Sequence, residues 1–278
     1  MKKNIVVLFC CLTLHFTTQA QNQGVFHEGE YGFTVGASHY FGDLNTRSAL
    51  NRPNMALGLF FRKQFGNYIG LRVAGRYTQL AYSDKYSNNL YQKTRNLNFN
   101  TDIYEFAVQG DFNFFKFISN SDYDRFTPYV TLGVGFFSYD PYVIDQGKKV
   151  YLRPLGTEGQ AIGYQGRSEY STMALCIPFG IGFKYSLTDK MNLSFEISQR
   201  FTSTDYIDDV STTYIGSDKF QRDANGGLTP AGMYQDMSVG QSLGKEGRQR
   251  GWSQQNDQYV IAEIGISFNI NSYKCPSQ

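Results

Sequence analysis

Nine charged residues sit in stretches where every second residue is apolar, and this spacing limits the chemistry open to the chain. Arg62, Arg72, Arg76, Glu105, Asp111, Lys184, Glu196, Arg200 and Glu263 each fall on the face opposite an apolar stripe. Facing lipid, each charge would be costly. Turned into a narrow interior, the charges can pair with one another across it. Five are basic and four acidic, so the set suits mutual pairing. A packed ionic interior is therefore predicted in preference to a conducting channel.

Other residues that could do chemistry lack the required pattern. The three histidines are His15, His27 and His39, all near the N-terminus, which leaves none for a late-chain Ser/His/Asp triad or a histidine-rich metal site. Gly240-Gln-Ser-Leu-Gly244-Lys245-Glu246 has one residue too few between its glycines for a phosphate loop, and no Ser or Thr follows the lysine. It reads as a flexible surface segment. Asp205, Asp208 and Asp209 are close in sequence, but without ordered ligand spacing they read as solvated or loop-capping residues rather than a Ca²⁺ site. Lys245, Arg248 and Arg250 could meet lipopolysaccharide phosphates, with loop solubility the simpler use. The chain is expected to have no catalytic, cofactor-binding or metal site.

The elements that must position the nine charges are eight period-two runs, at 31–41, 54–65, 68–82, 102–115, 128–138, 172–185, 191–201 and 258–271. The clearest places Tyr104, Phe106, Val108, Gly110, Phe112 and Phe114 against Ile103, Glu105, Ala107, Gln109, Asp111 and Asn113. Runs of about ten residues or more are long for a globular sheet and suit tilted membrane strands. The connections alternate between long and short, as in barrels with short periplasmic turns and long external loops, whereas a sandwich has no reason to sort loops by parity. The fold class predicted is all-β: an eight-stranded antiparallel transmembrane β-barrel with long extracellular loops, occupying 21–278 as one domain.

Composition agrees with this reading. Mean hydropathy is −0.40, which excludes a polytopic helical membrane protein. Tyr and Phe number 21 and 23 against a single Trp, and Gly is abundant. Lys2 and Lys3 precede an apolar run ending near Leu14, and Thr18-Gln19-Ala20 supplies small residues before Gln21. Residues 1–20 are thus expected to be a cleaved signal peptide. Without Lys2 and Lys3 the basic and acidic residues balance at 24 each, so no basic excess asks for nucleic acid. Cys176 and Cys275 are then the remaining cysteines, too few for a disulfide framework.

Several segments carry a family resemblance. They are Tyr40-Phe-Gly-Asp-Leu-Asn45, Arg95-Asn-Leu-Asn-Phe99 with Asp102-Ile-Tyr-Glu105, and Phe126-Thr-Pro-Tyr-Val130. Arg153-Pro-Leu-Gly-Thr-Glu-Gly-Gln160, Pro178-Phe-Gly-Ile-Gly182 and Thr204-Asp-Tyr-Ile-Asp-Asp-Val-Ser-Thr-Thr-Tyr214 complete the set. Together they resemble the PorG-like outer-membrane proteins of Bacteroidetes, barrels associated with type IX secretion and gliding. The resemblance implies an outer-membrane location in a Gram-negative bacterium and contact with its lipid. It also implies a structural role, anchoring a periplasmic ring built from a PorK/GldK-type lipoprotein and a PorN/GldN-type protein. For that role the turn 116–126 is the expected contact, through Phe117, Tyr123, Asp124 and Arg125, because aromatics and Arg are favoured at interface centres. Two alternatives remain: a generic small barrel for surface interaction or envelope integrity, and an outer-membrane enzyme acting on lipid or peptide.

Overall fold

The computed structural model describes residues 26–45, 52–119, 121 and 123–272. The expected signal peptide and Cys275 lie outside the described residues. Ten strands form: β1 Phe26–Phe41, β2 Asn54–Phe65, β3 Ile69–Ser83, β4 Asn98–Asn113, β5 Phe126–Ser138, β6 Tyr142–Asp145, β7 Lys148–Tyr151, β8 Met173–Ser186, β9 Met191–Thr202 and β10 Gln258–Ser272. Eight of them pair in the order β1-β2-β3-β4-β5-β8-β9-β10, and β10 pairs back onto β1, so the sheet is a closed antiparallel barrel. The short hairpin β6–β7 lies in an external loop and joins the sheet through one antiparallel bridge, Tyr142 of β6 to Asn100 of β4. Barrel strands of 12–16 residues, rising ~3.3 Å per residue and tilted by about 40°, reach ~30 Å or more in height, enough to cross a bilayer.

Side-chain alternation places each face as the sequence pattern requires. Along β4, Tyr104, Phe106, Val108 and Phe112 are exposed, while Ile103, Glu105, Ala107, Gln109, Asp111 and Asn113 are buried. Rings meet across neighbouring strands on the outer face. Tyr77 and Tyr104 are directly opposite, with centroids 5.1 Å apart, and Phe106 and Phe136 follow at 5.5 Å. Such cross-strand aromatic pairs each stabilise the sheet by ~0.2–1 kcal/mol. A tight turn at 66–68, opened by Gly66 at φ 71°, joins β2 to β3. Residues 187–190 join β8 to β9 at the same end, where the described ends of β1 and β10 also lie.

The opposite end carries the long connections, and three of these hold regular elements of their own. The β3–β4 connection contains α1, Leu90–Arg95, capped by the Asn89 side chain, which accepts from the Tyr91 amide at 2.9 Å; Asn96 ends it in the left-handed region. The β5–β8 connection holds the β6–β7 hairpin and three short 3₁₀ turns, and the β9–β10 connection holds α2, Pro230–Gln235. β4 starts at Asn98, four residues before the start expected from alternation. Phe99, Asn100 and Thr101 are all buried, because the loops cover their outer side, and a strand buried on both faces loses its period-two signature.

Leu59 lies mid-strand in β2 and is 70% exposed among other apolar outward positions. With lipid as its surroundings, Leu59→Arg should destabilise the folded barrel by about 2–4 kcal/mol. Urea unfolding in phospholipid vesicles measures this, and an unchanged midpoint would mean that this face does not meet the hydrocarbon.

Candidate functional site

The barrel interior is a layered ion network. Nearest the short-turn end, Arg62 on β2 bonds Glu30 on β1, and its Nε donates to Asp111 on β4 at 2.5 Å. Asn192 and Ser267 also donate to Glu30. One layer up, Arg72 on β3 lies 2.8 Å from Glu196 on β9 and 3.4 Å from Asp111, and donates to Thr131. β3 and β9 are diametrically opposed in the barrel order, so this pair crosses the full lumen. Tyr129 joins it, its hydroxyl donating to Glu196 at 2.8 Å. Gly182 makes this geometry possible: a Cβ there would lie 2.7 Å from the Tyr129 ring. Higher still, Arg76 bridges Glu105 on β4 and Glu263 on β10, at 3.2 and 3.0 Å. Arg200 on β9 donates to Glu105, which also accepts from Tyr259.

All nine predicted charges point inward and are buried, and eight of them share this network. The ninth is Lys184, whose ammonium makes no hydrogen bond among the described residues and lies over the rings of Phe117 and Tyr129, at 5.2 and 5.3 Å. Glu30 was missed because the alternation was started at Tyr31, one residue too late. With Glu30 included, five buried bases face five buried acids, and the lumen is neutral.

Above the lumen the external loops form a cap with a second polar interior. Glu158 is completely buried. It accepts from the Ser211 and Thr212 amides, from the Thr212 hydroxyl at 2.5 Å, and from Arg250 at 3.1 Å. Asp209 accepts from Thr157 at 2.5 Å and from the Tyr170 hydroxyl at 2.7 Å, and its carbonyl accepts from Arg250 at 2.6 Å. Arg95 at the end of α1 pairs with Asp84 in two-pronged fashion, at 2.7 and 3.0 Å. Arg250, read as a solubility residue, and Asp205, Asp208 and Asp209, read as solvated or loop-capping, are thus corrected to interior positions at 8% exposure or less; of the loop-capping reading, Asp208 keeps its part, accepting from the Val210 amide at 2.9 Å. The segment around Gly240–Gly244 is not a free surface loop either. Asp236 organises it by accepting from Ser242 at 2.6 Å and from the Gly244 amide at 2.9 Å, and Leu243 is buried.

Over residues 2–229 the chain matches the family described as Domain of unknown function (DUF6089). The chain belongs to the DUF6089 family. No curated protein matches it. Among solved structures it is similar to Ail, the attachment invasion locus protein of Yersinia pestis, at 10% identity and a TM-score of 0.41, covering 87% of this chain and 99% of that one. It is similar to Neisserial surface protein A at 8% identity and 0.44, covering 89% and 100%. It is also similar to OprG from Pseudomonas aeruginosa at 11% and 0.37, covering 89% and 99%. The strand pairing itself carries the fold. An even-stranded closed barrel with an apolar outer face, short turns at one end and long loops at the other makes this DUF6089 protein an outer-membrane barrel of a Gram-negative bacterium.

The four residues expected to form a periplasmic contact in this DUF6089 barrel are divided between two environments. Tyr123 is 96% exposed at the tip of the 114–125 turn. Ser121 holds the turn's shape: its hydroxyl accepts from the Asp124 amide at 3.0 Å, and its carbonyl accepts from Arg125 Nε at 3.0 Å. Asp124 pairs with Lys116 at 3.4 Å. Phe117 is a correction: it is buried, lies beneath the Lys184 ammonium and closes the foot of the lumen, so it is not available to a partner. Phe114, Phe115 and Lys116 before it are all exposed, so the alternation of β4 is already broken and gave no signal for its burial.

Two outcomes follow from the lumen. Arg72→Met takes one cation from Asp111 and Glu196, leaving Asp111 to Arg62 and Glu196 to Tyr129 and the more distant Arg76, and removing one partner of a buried pair costs about 3–5 kcal/mol. Chemical unfolding in detergent micelles should show that loss, whereas a change under about 1 kcal/mol would mean that water reaches these acids. The wild-type barrel, with Arg72 and Glu196 bridging opposite walls, should give no reproducible conductance step in planar-bilayer recordings.

Proposed function

We propose that this protein is a non-catalytic outer-membrane barrel whose working part is its external cap, serving surface interaction or envelope integrity. The observation that carries this is the interior of the cap. Glu158, Asp209 and Arg250 tie the 152–170, 205–214 and 248–251 segments to one another through hydrogen bonds of 2.5–3.1 Å, with all three residues at 3% exposure or less. Loops that merely connect strands need no such core. A platform that presents a fixed surface does. That surface carries Tyr86, Leu90, Val239 and Trp252 at 53–80% exposure, apolar anchors of the kind interface centres use.

A second reading is favoured by Tyr123. A fully exposed aromatic on a turn ordered by Ser121, on the periplasmic side, suits docking of a periplasmic ring protein. The resemblance of the 153–160 and 204–214 motifs to PorG-like barrels supports a type IX secretion context for that docking.

The two readings separate in one complementation experiment. A deletion strain receives wild type, a barrel with residues 217–247 replaced by a short Gly/Ser linker, or a barrel with 118–125 replaced by an Asn-Gly turn. Under the cap reading, only the first and third restore detergent resistance and surface adhesion, and secretion is unaffected throughout. If the turn variant alone fails, with secretion lost, the cap reading is wrong and the ring-anchor reading stands.

A further inference from the structure

The two polar interiors differ in charge balance. The lumen holds five bases and five acids. Among the described residues the cap buries seven acids, Asp43, Asp84, Glu158, Asp205, Asp208, Asp209 and Asp257, against two arginines, Arg95 and Arg250, with His39 buried near the end of β1. Arg95 is taken by Asp84, and Arg250 by Glu158 and Asp209. Asp43, Asp205, Asp208 and Asp257 are left without an ion-pair partner among the described residues.

Hydrogen-bond geometry shows how three of these four are satisfied. The Tyr40 hydroxyl lies 2.6 Å from Asp208 Oδ2 and 2.7 Å from Asp257 Oδ1. A phenol has one proton and can donate to one of them. The other short contact needs a second proton, carried by a carboxyl group that donates to the phenol oxygen. The second oxygens of the two acids accept from the Val210 and Ile207 amides, each at 2.9 Å, so they do not hold that proton. Asp43 accepts from the Trp252 amide at 2.8 Å. Asp205, 8% exposed, has among the described residues only the Ser211 side chain as a weak donor, outside good hydrogen-bond geometry, while the charges of Asp257, Asp43 and Glu158 bear on it. An ionised carboxylate so placed would be desolvated and repelled at once, while a neutral one is tolerated.

We infer that the cap is held closed by protons shared within the Asp43–Asp205–Asp208–Asp257 cluster around Tyr40, and that it opens locally when this cluster ionises. The inference concerns the order of the cap itself and does not depend on what the cap meets. The groups facing the cluster come from every surrounding segment. They are Tyr40 and Asp43 at the end of β1, Arg95 at the end of α1, Tyr139 and Glu158 from the β5–β8 loop, Tyr206 and Asp209 from the 205–211 segment, and Arg250 from the β9–β10 loop. Burial, reinforced by neighbouring acids, pushes Asp257 up to about 8 and Asp205 up to about 9, and raises Asp208 well above its ordinary value. Asp43 rises to about 6 for the same reason, opposed by the two arginines.

The sign follows from linkage. The closed cap holds more protons than the open one wherever these groups sit above their ordinary values. Closure is therefore strongest near pH 4 and weakens as pH rises to about 8–9.

Hydrogen exchange of the full-length protein in detergent micelles with EDTA tests this, with unboiled-gel mobility confirming an intact barrel. After correction for intrinsic exchange, protection of 204–211 should fall by at least about 50-fold between pH 6 and pH 8, the effect of Asp257 alone, which is half ionised at about 8. Barrel amides at 105–112 in β4 and 129–134 in β5, below the cap, should not change. Asp257→Asn reproduces the protonated acid, its amide donating to Tyr40 and its carbonyl accepting from Ile207, so it should make this dependence measurably shallower than in wild type. Asp205→Asn is an independent second variant with the same expectation. Equal protection at both pH values overturns the inference. So does loss of protection at pH 6 when EDTA is added, because a cation would then be neutralising the cluster.

Discussion

Inside a bilayer each peptide N–H and C=O must find its partner within the protein, and the pairing of β1 with β10 is what allows this. Without it the sheet would present two open edges to lipid. With it, every barrel strand has two neighbours, and the period-two pleat sorts side chains into an outer apolar face and an inner polar one. Eight strands also set the diameter. The interior is just wide enough for side chains to meet from opposite walls, as Arg72 and Glu196 do.

That narrowness explains the chemistry of the interior. Charges facing one another in a dry, closed space are tolerable only when the count balances and geometry is good. The lumen meets both conditions with five acids, five bases and bridging hydroxyls from Thr131, Tyr129 and Tyr259. The cap is built on the other solution. Its acids outnumber its bases, and hydrogen bonds from backbone amides and phenols replace most of the missing cations. The barrel is thereby a structure of ion pairs, and the cap one of carboxyl groups whose charge depends on their surroundings.

The loops repeat the barrel's logic at smaller scale. Short turns on the periplasmic side need little support beyond Gly66 and the Ser121 contacts. Long external loops have to supply a core of their own, and they do so around Tyr40, Phe99, Tyr139 and Ile207, which form one buried cluster over the mouth of the barrel. β1 and β4 reach upward into that cluster, so the cap and the membrane domain are one continuous packing unit.

The alternation of apolar and polar residues by itself determined the strand count, the parity of the loops and the inward direction of Arg62, Arg72, Arg76, Glu105, Asp111, Lys184, Glu196, Arg200 and Glu263, because in a strand the period is local and lipid on one side makes it strict. It failed at Glu30, just before the alternation was started, and at Asn98–Thr101, where cap loops bury both faces and erase the period. The interior of the cap was not legible at all. Asp205, Asp208, Asp209 and Arg250 look like ordinary polar loop residues, and their partners Tyr40, Glu158 and Asp257 lie tens to hundreds of residues away. No local pattern encodes such contacts. They exist only once barrel closure brings four loops to one end, and only that assembly decides which polar residues are sealed from water.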